Sequence, residues 1–354
     1  MSPLRGAGVV AVVALACALP GAALAEADTA GVPVAEFPSE NLCTPDDPAL
    51  DELSGLAAVG GRLFATPDAG VDESVVELDL DCTVMQRFPV PVDPYDIEDL
   101  AAGPDGRLWL ADIGDNTSAR QTVALISLDP DSGAGDLYRL TYPDGPRDAE
   151  AVLVSASGEP VIVTKTLFGA SGVYRPARGR ALEQLATPGP TPLEKVGSLA
   201  LGPTDTPGGP LPGASSTLIT GGAVSPDGTV AAVRTYTDVY LFHAPDTDLV
   251  AALTAGPALR IPVPDEPQGE AVAFTSSGDL VTGSEAVVQG GTLTEARPPI
   301  RVWRGVTDHF GAKPVSDTES NSDSYAGPIG VAAGVAVLVA VGAVILRFLR
   351  TRRS

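Results

Sequence analysis

A phrase recurs five times along this chain, and it constrains the fold more than any other feature. The copies are LSGLAAVGGRLFATPD from Leu53, DIEDLAAGPDGRLWLADIGDN from Asp96, DAEAVLVSASGEPVIVTKT from Asp148, TGGAVSPDGTVAAVRTYTD from Thr220 and QGEAVAFTSSGDLVTGSEA from Gln268. Each copy is a short apolar run, a Gly-containing turn, and a second apolar run that ends in polar or charged residues. Runs such as Leu108-Trp109-Leu110 and Val161-Ile162-Val163 are β-rich, bounded by Gly, Pro and Asp, and too short for helices. Pro104 to Gly106 and Pro226 to Gly228 repeat the same PDG turn, in which Gly accepts backbone angles that other residues resist.

Aligned on the turn, Ser54, Glu98, Glu150, Thr220 and Glu270 fall in register at spacings of about 44, 52, 70 and 50 residues. Repeats of that size are those of four-stranded units arranged around an axis. The fold class is therefore all-β, a β-propeller of five or six four-stranded blades, with one C-terminal transmembrane helix. No convincing helical period lies between the ends. The long third interval holds a Pro/Gly-rich stretch, Thr187 to Ser216, read as a surface insertion; the strand-like Leu193 to Leu201 is either part of it or a degenerate sixth blade.

Both ends point to export. Arg5, the apolar run Val9 to Leu19 and Ala23-Leu24-Ala25 read as a secretory signal over 1–25. Residues 26–306 are then the extracellular propeller, and 307–327, with SDTESNSDS, a disordered polar stalk. The uncharged stretch in 328–349 is long enough to span a bilayer, and the basic tail 350–354 puts the large domain outside a single-pass, type I cell-membrane protein. Cys43 and Cys82 survive signal removal, and in an oxidising compartment they are expected to form a disulfide joining the N-terminal segment to the first blade. Val32 to Glu40 is expected to close the ring against the IRVWRG strand near Trp303.

The net charge of −23 disfavours nucleic acid and anionic lipid as partners and favours cations or basic partners. First strands of blades are innermost, so Asp96, Glu98, Asp99, Asp148, Glu150 and Glu270 are expected at the channel or its mouth. The second strands bring Asp112, Asp115, Asn116, Lys165, Arg234 and Glu285 to the same rim. Three readings stay open. The repeated acids serve the repeat itself, with Lys165 and Arg234 neutralising them. Alternatively they hold calcium, whose hard oxygen ligands would be Glu98, Asp112, Asp115, Glu150 and Glu270. In the third, a metal-bound water attacks an ester while Lys165 or Arg234 stabilises the developing charge. His243 and His309 are the only histidines, which excludes a His-rich zinc or iron centre, and no G-x-S-x-G elbow, P-loop or dinucleotide motif is present, so no nucleotide is expected.

The strings ADIGDN, RTYTD and QGEA, over about Leu53 to Glu285, resemble a group of actinobacterial secreted or membrane-anchored β-propellers, distantly similar to the phytase-like propellers with esterase-like activity. The resemblance implies the fold, calcium held by acids at the mouth, and Lys165 and Arg234 as phosphate-facing cations. The expected function is a ligand- or partner-binding module at the cell surface, its partner a small molecule, an envelope component or a protein. The alternative is a calcium-dependent phosphoesterase or esterase.

Overall fold

In the computed structural model the described residues are 31–68, 74–289 and 292–311. The expected signal segment, the membrane helix, the basic tail and the stalk from residue 312 onward lie outside them. No helix among the described residues is long and apolar enough to cross a membrane.

The repeated phrase is the first hairpin of each of five four-stranded antiparallel units. The first strands are Leu53–Val59, Ile97–Ala102, Ala149–Val154, Ile219–Val224 and Gln268–Phe274. Their partners are Arg62–Pro67, Leu108–Asp112, Pro160–Thr164, Val230–Thr235 and Leu280–Glu285. Several of these strands are buried along their whole length, Ala149–Val154 and Val230–Thr235 among them. A sheet covered on both faces needs apolar residues on both, which is why these runs are continuous rather than alternating.

Five apolar clusters fill the spaces between neighbouring units. Leu100 and Leu110 pack with Phe64 between the first and second; Val152 and Ile162 with Trp109 and Leu125 between the second and third. Leu153 and Val163 pack with Val233 and Phe242, Val239 and Leu241 with Val272 and Leu280, and Ala271 and Val281 with Leu53 and Leu56. The last cluster joins the fifth unit to the first, so the ring closes. Each fully buried Leu, Val or Phe contributes about 1.5–3 kcal/mol, so each interface is a core in its own right.

Closure is also covalent in effect. The fifth unit takes its outermost strand from the N-terminal segment, Ser39–Cys43, which pairs antiparallel with Ile300–Trp303. The closing strand therefore lies later than Val32 to Glu40 and shares only Ser39 and Glu40 with it. Pro33 to Ala35 instead run along the fourth unit, where Arg260 N–H donates to the Pro33 carbonyl and Ala35 N–H to the Arg260 carbonyl, both at 2.9 Å. The Cys43–Cys82 disulfide ties that closing strand to the first unit.

Three expectations change. Leu193 to Leu201 is no separate blade: Thr191–Leu199 is the outer strand of the third unit, and its start runs parallel to Leu140 and Thr141 of the second. A seven-residue helix, Leu249–Ala255, follows the third strand of the fourth unit. Asp248 caps it by accepting from Ala251 N–H, Gly256 ends it at φ 94°, and Leu249, Ala252 and Leu253 bury into the cluster between the third and fourth units. Finally, the domain continues past 306. Val306–Gly311 is helical, Val306 is buried, and the Phe310 ring lies 5.1 Å from His243; Thr307 to Gly311 therefore belong to the ring rather than to a stalk.

Candidate functional site at the channel mouth

The five residues aligned in the sequence share a structural position, and a backbone irregularity defines it. Strand register shifts between Leu53 and Gly55, Ile97 and Asp99, Ala149 and Ala151, Ile219 and Gly221, and Gly269 and Val272. Ser54, Glu98, Glu150 and Thr220 are the residues skipped at the first four, and Glu270 with Ala271 at the fifth. A bulge residue loses its place in the ladder, and its side chain is re-aimed. In the first and fourth units the side chain serves the ring: Ser54 Oγ donates to the Glu98 carbonyl at 2.5 Å, and Thr220 Oγ1 to the Gly269 carbonyl at 2.8 Å. In the other three it is a carboxylate near the axis.

Those three carboxylates, 3%, 2% and 3% exposed for Glu98, Glu150 and Glu270, are close enough to feel one another's charge. Carboxylate oxygens of Glu98, Asp148 and Glu150 all lie within 4.8 Å of one another, as do those of Asp68, Asp96 and Glu98. Gly114 forms part of the wall: a Cβ there would stand 2.0 Å from Glu98 Oε1 and 2.4 Å from Asp96 Oδ2. Lys165 Nζ donates to Glu150 Oε1 at 2.6 Å and sits 5.2 Å from the centre of the Tyr236 ring. Glu150 Oε2 and Glu270 Oε2 are buried without a hydrogen-bond partner.

Electrostatics follow from this crowding. Burial, then the charges of Glu150, Asp68 and Asp96, push Glu98 well above the usual carboxylate range. Asp96 is pushed up to about 6 by burial and then by Asp68. Burial raises Glu150, and Lys165 opposes it. For Lys165 burial acts downward, but Glu150 and Tyr236 outweigh it and hold the ammonium charged. Glu270 is raised by burial and by the neighbouring Glu285 carboxylate; Gln268 Nε2 donates to Glu270 Oε1 at 3.3 Å. Lys165 is the one lysine among the described residues paired with these acids, and burial and mutual repulsion favour their protonated forms.

The remaining expected residues fall elsewhere. Asp112 is tied to Arg120 at 2.8 Å and accepts from Asp96 N–H at 3.0 Å, so it frames the site without offering a free oxygen pair. Asp115 accepts from Ala119 and Arg120 N–H, both at 2.8 Å, and shapes its own loop; Asn116 is exposed. Arg234 does not face the mouth. It is fully buried, pairs with Glu266 at 2.8 Å, and donates to the carbonyls of Ala271 and Gly283, fastening the fourth unit to the fifth. Its register partner Val239 places it inside the hairpin, whereas Lys165 lies just past the end of Pro160–Thr164 and turns inward.

Sequence reasoning passed over Asp68, Tyr236 and Glu266. Asp68 ends the first copy of the phrase as Asp112 ends the second strand in the next copy, a signal that alignment of the second strands carries. Asp99, expected with the other acids at the channel, uses its fully buried carboxylate to accept from the backbone N–H groups of Leu100, Val152 and Gly222 at 2.8, 2.8 and 3.1 Å. It thereby joins three units across the axis, and burial pushes it up to about 8 against those donors. Beyond it, a cavity of about 270 Å³ opens at the other end of the ring, lined by small and apolar residues of all five first strands such as Ala58, Ala102 and Val224.

No family model and no curated protein matches the chain. Among solved structures it is similar to glutaminyl cyclase from Myxococcus xanthus, at 12% identity and TM-score 0.40 over 75% of this chain and 94% of that one. It is similar also to the PQQ-bound form of aldose sugar dehydrogenase from Streptomyces coelicolor, at 11% identity and TM-score 0.42 over 77% of this chain and 99% of that one. Likenesses this weak carry nothing about chemistry. The fold and mouth define a propeller-type ring with acids gathered at its axis, established by its own pairings and cores.

Proposed function

We propose that the chain is a cation-dependent binding module, a five-bladed member of the phytase-like propeller group, displayed at the cell surface by the helix expected in 328–349. The cation is Ca²⁺, held by Glu98, Asp148 and Glu150, with Asp68 and Asp96 on the far side of Glu98. The observation that carries this reading is Glu150 Oε2: an oxygen buried without a partner, on a carboxylate whose neighbours Glu98 and Asp148 lie within 4.8 Å. Leaving a charged oxygen buried and unpaired is costly. An all-carboxylate donor set suits a hard cation and lacks the nitrogen and sulfur ligands that zinc prefers. A bound ion would supply charge neutralisation and vacant positions for an anionic or carbonyl-bearing ligand.

The binding reading is favoured over hydrolysis by the state of the two expected cations. Lys165 is committed to Glu150, and Arg234 is sealed between units with Glu266. Neither is free to meet a phosphate. The test is a thermal melt of the purified protein in chelator and in Ca²⁺, because a ligand that binds only the folded state stabilises by about 2.7 kcal/mol at a hundredfold excess over Kd. A higher melting temperature in Ca²⁺, abolished by Glu98→Gln and Glu150→Gln, is expected; an identical melt in both buffers removes the site. Turnover of p-nitrophenyl phosphate or ester that depends on Glu150 would overturn the preference for binding over catalysis.

A further inference from the structure

Asp99 separates the acidic mouth from the cavity of about 270 Å³ at the far end of the ring. The amides that hold its carboxylate, those of Leu100, Val152 and Gly222, belong to residues that line this cavity. Asp99 therefore sits at the inner end, and the rest of the lining runs outward along the first strands.

Those strands are the ends of their sheets, and none of the five has a strand on its inner edge among the described residues. Along such an edge, every second residue faces away from its partner strand and presents an N–H and a C=O together. The three amides taken by Asp99 mark the residues that face the axis, and the next in step are Ala102, Val154 and Val224. The residues after these confirm the alternation. Gly103, Ser155 and Ser225 turn the other way and donate across their own hairpins to the carbonyls of Arg107, Glu159 and Val230, at 2.8, 3.0 and 2.8 Å. Ala102, Val154 and Val224 all line the cavity, and no strand or side chain among the described residues answers their N–H groups.

The walls decide what can answer them. No ionisable side chain lines the cavity. Ser155 and Ser225 spend their hydroxyls in their own turns, accepting from Glu159 N–H and Val230 N–H, both at 2.9 Å. What faces the space is a set of backbone donors and acceptors, side by side, within apolar walls that include Phe274 and Pro226. A charged ligand would lose its water there without meeting a counter-charge. An amide carries a donor and an acceptor together, so it can pair with a strand edge much as another strand does. A cavity of about 150 Å³ already holds benzene, and this one has room for a ring with an amide attached.

We propose that the far cavity binds a small uncharged molecule made of an apolar ring and an amide group, the amide pairing with the inner edge at Ala102, Val154 or Val224. The site is separate from the calcium site and does not depend on it. Calorimetric titration of the purified full-length protein with benzamide tests it, run in chelator so that the outcome is independent of the calcium reading. Saturable binding at a single site is expected. Acetophenone, in which a methyl group replaces the amide nitrogen, should bind about fivefold more weakly, the worth of one lost hydrogen bond. Benzoate and benzylammonium, the charged relatives, should not bind.

Ala102→Phe adds bulk at an exposed position of the lining and should weaken benzamide binding about tenfold or more, with the melting temperature unchanged. Absence of benzamide binding would overturn the assignment and leave the edge amides to water. Equal affinity for acetophenone, comparable binding of either charged relative, or full affinity in Ala102→Phe would each overturn it as well. If Ala102→Phe fails to fold, as its melt will show, the same measurement on Ala58→Phe, in the lining contributed by the first unit, decides.

Discussion

Arg234 and Glu266 form an ion pair sealed from solvent: Nη2 donates to Oε2 at 2.8 Å and both side chains are fully buried. The guanidinium also donates to carbonyls of Thr235, Ala271 and Gly283, so its hydrogen-bonding capacity is nearly filled by two units of the ring. Gly269 makes room for it, since a Cβ there would fall 1.7 Å from Nη2. The pair is an internal fastener between the fourth and fifth units.

Removing one partner should therefore be severe. Arg234→Met preserves much of the volume but leaves Glu266 charged and buried, a loss of about 3–5 kcal/mol for a broken buried pair. Urea unfolding of the variant is the measurement. Adding Glu266→Gln to Arg234→Met should recover part of the loss, because the uncompensated charge disappears while the carbonyls of Ala271 and Gly283 still lack their donor.

Acidity should stabilise this ring over a range where many proteins are indifferent. Asp99 and Asp96 are raised to about 8 and about 6, against an ordinary value near 3.8 when unfolded. Between those limits the folded state holds more protons than the unfolded state, so stability falls as pH rises and is recovered as pH drops. The melting temperature should climb from pH 8 to about pH 5. Below that range it should fall again, because Glu77, Asp144 and Asp279 are held below their ordinary values and lose their stabilising interactions as they protonate. Saturating Ca²⁺ should flatten the contribution of Asp96 and leave that of Asp99, which Asp99→Asn should remove.

Gly114→Ala tests the mouth without touching an acid. Its added methyl would collide with Glu98 Oε1 and Asp96 Oδ2, the mobile ends of two side chains, so those carboxylates must swing away. Their displacement separates the oxygens that group Asp68, Asp96 and Glu98. The melting temperature in chelator should change little, and the increment produced by Ca²⁺ should shrink by more than half, read from paired thermal melts.

The ring and the convergence of Glu98, Glu150 and Glu270 were legible because both come from the repeat, and a bulge at the same place in each copy turns like positions toward one axis. Cys43 and Cys82 were legible from compartment chemistry. What the repeat could not show is which second-strand ends turn inward. Lys165 lies just beyond its strand and reaches Glu150, whereas Arg234 lies within its own and is buried, a difference of local register that the alignment of polar endings blurs. Glu266 sits in a connector that follows no repeat. The helix Leu249–Ala255 spans seven residues, too few for a period, although Asp248 and Gly256 mark its two ends.

The disulfide provides the last test, because it acts on ring closure rather than on a local hairpin. Cys43 ends the strand Ser39–Cys43 that completes the fifth unit, and Cys82 lies in the turn between Ser74–Leu78 and Val84–Pro89 of the first. The link spans a sequence separation of 39, and by loop-closure entropy its removal costs about 4 kcal/mol. Cys43→Ser with Cys82→Ser should lower the melting temperature by that route. If the strand also opens, hydrogen exchange should rise first at Ile300–Trp303, whose outer edge is covered by Ser39–Cys43, while the third unit keeps its protection. Unchanged exchange at Ile300–Trp303 alongside a lower melt would assign the loss to the unfolded chain alone, and leave the strand pairing sufficient to hold the ring shut.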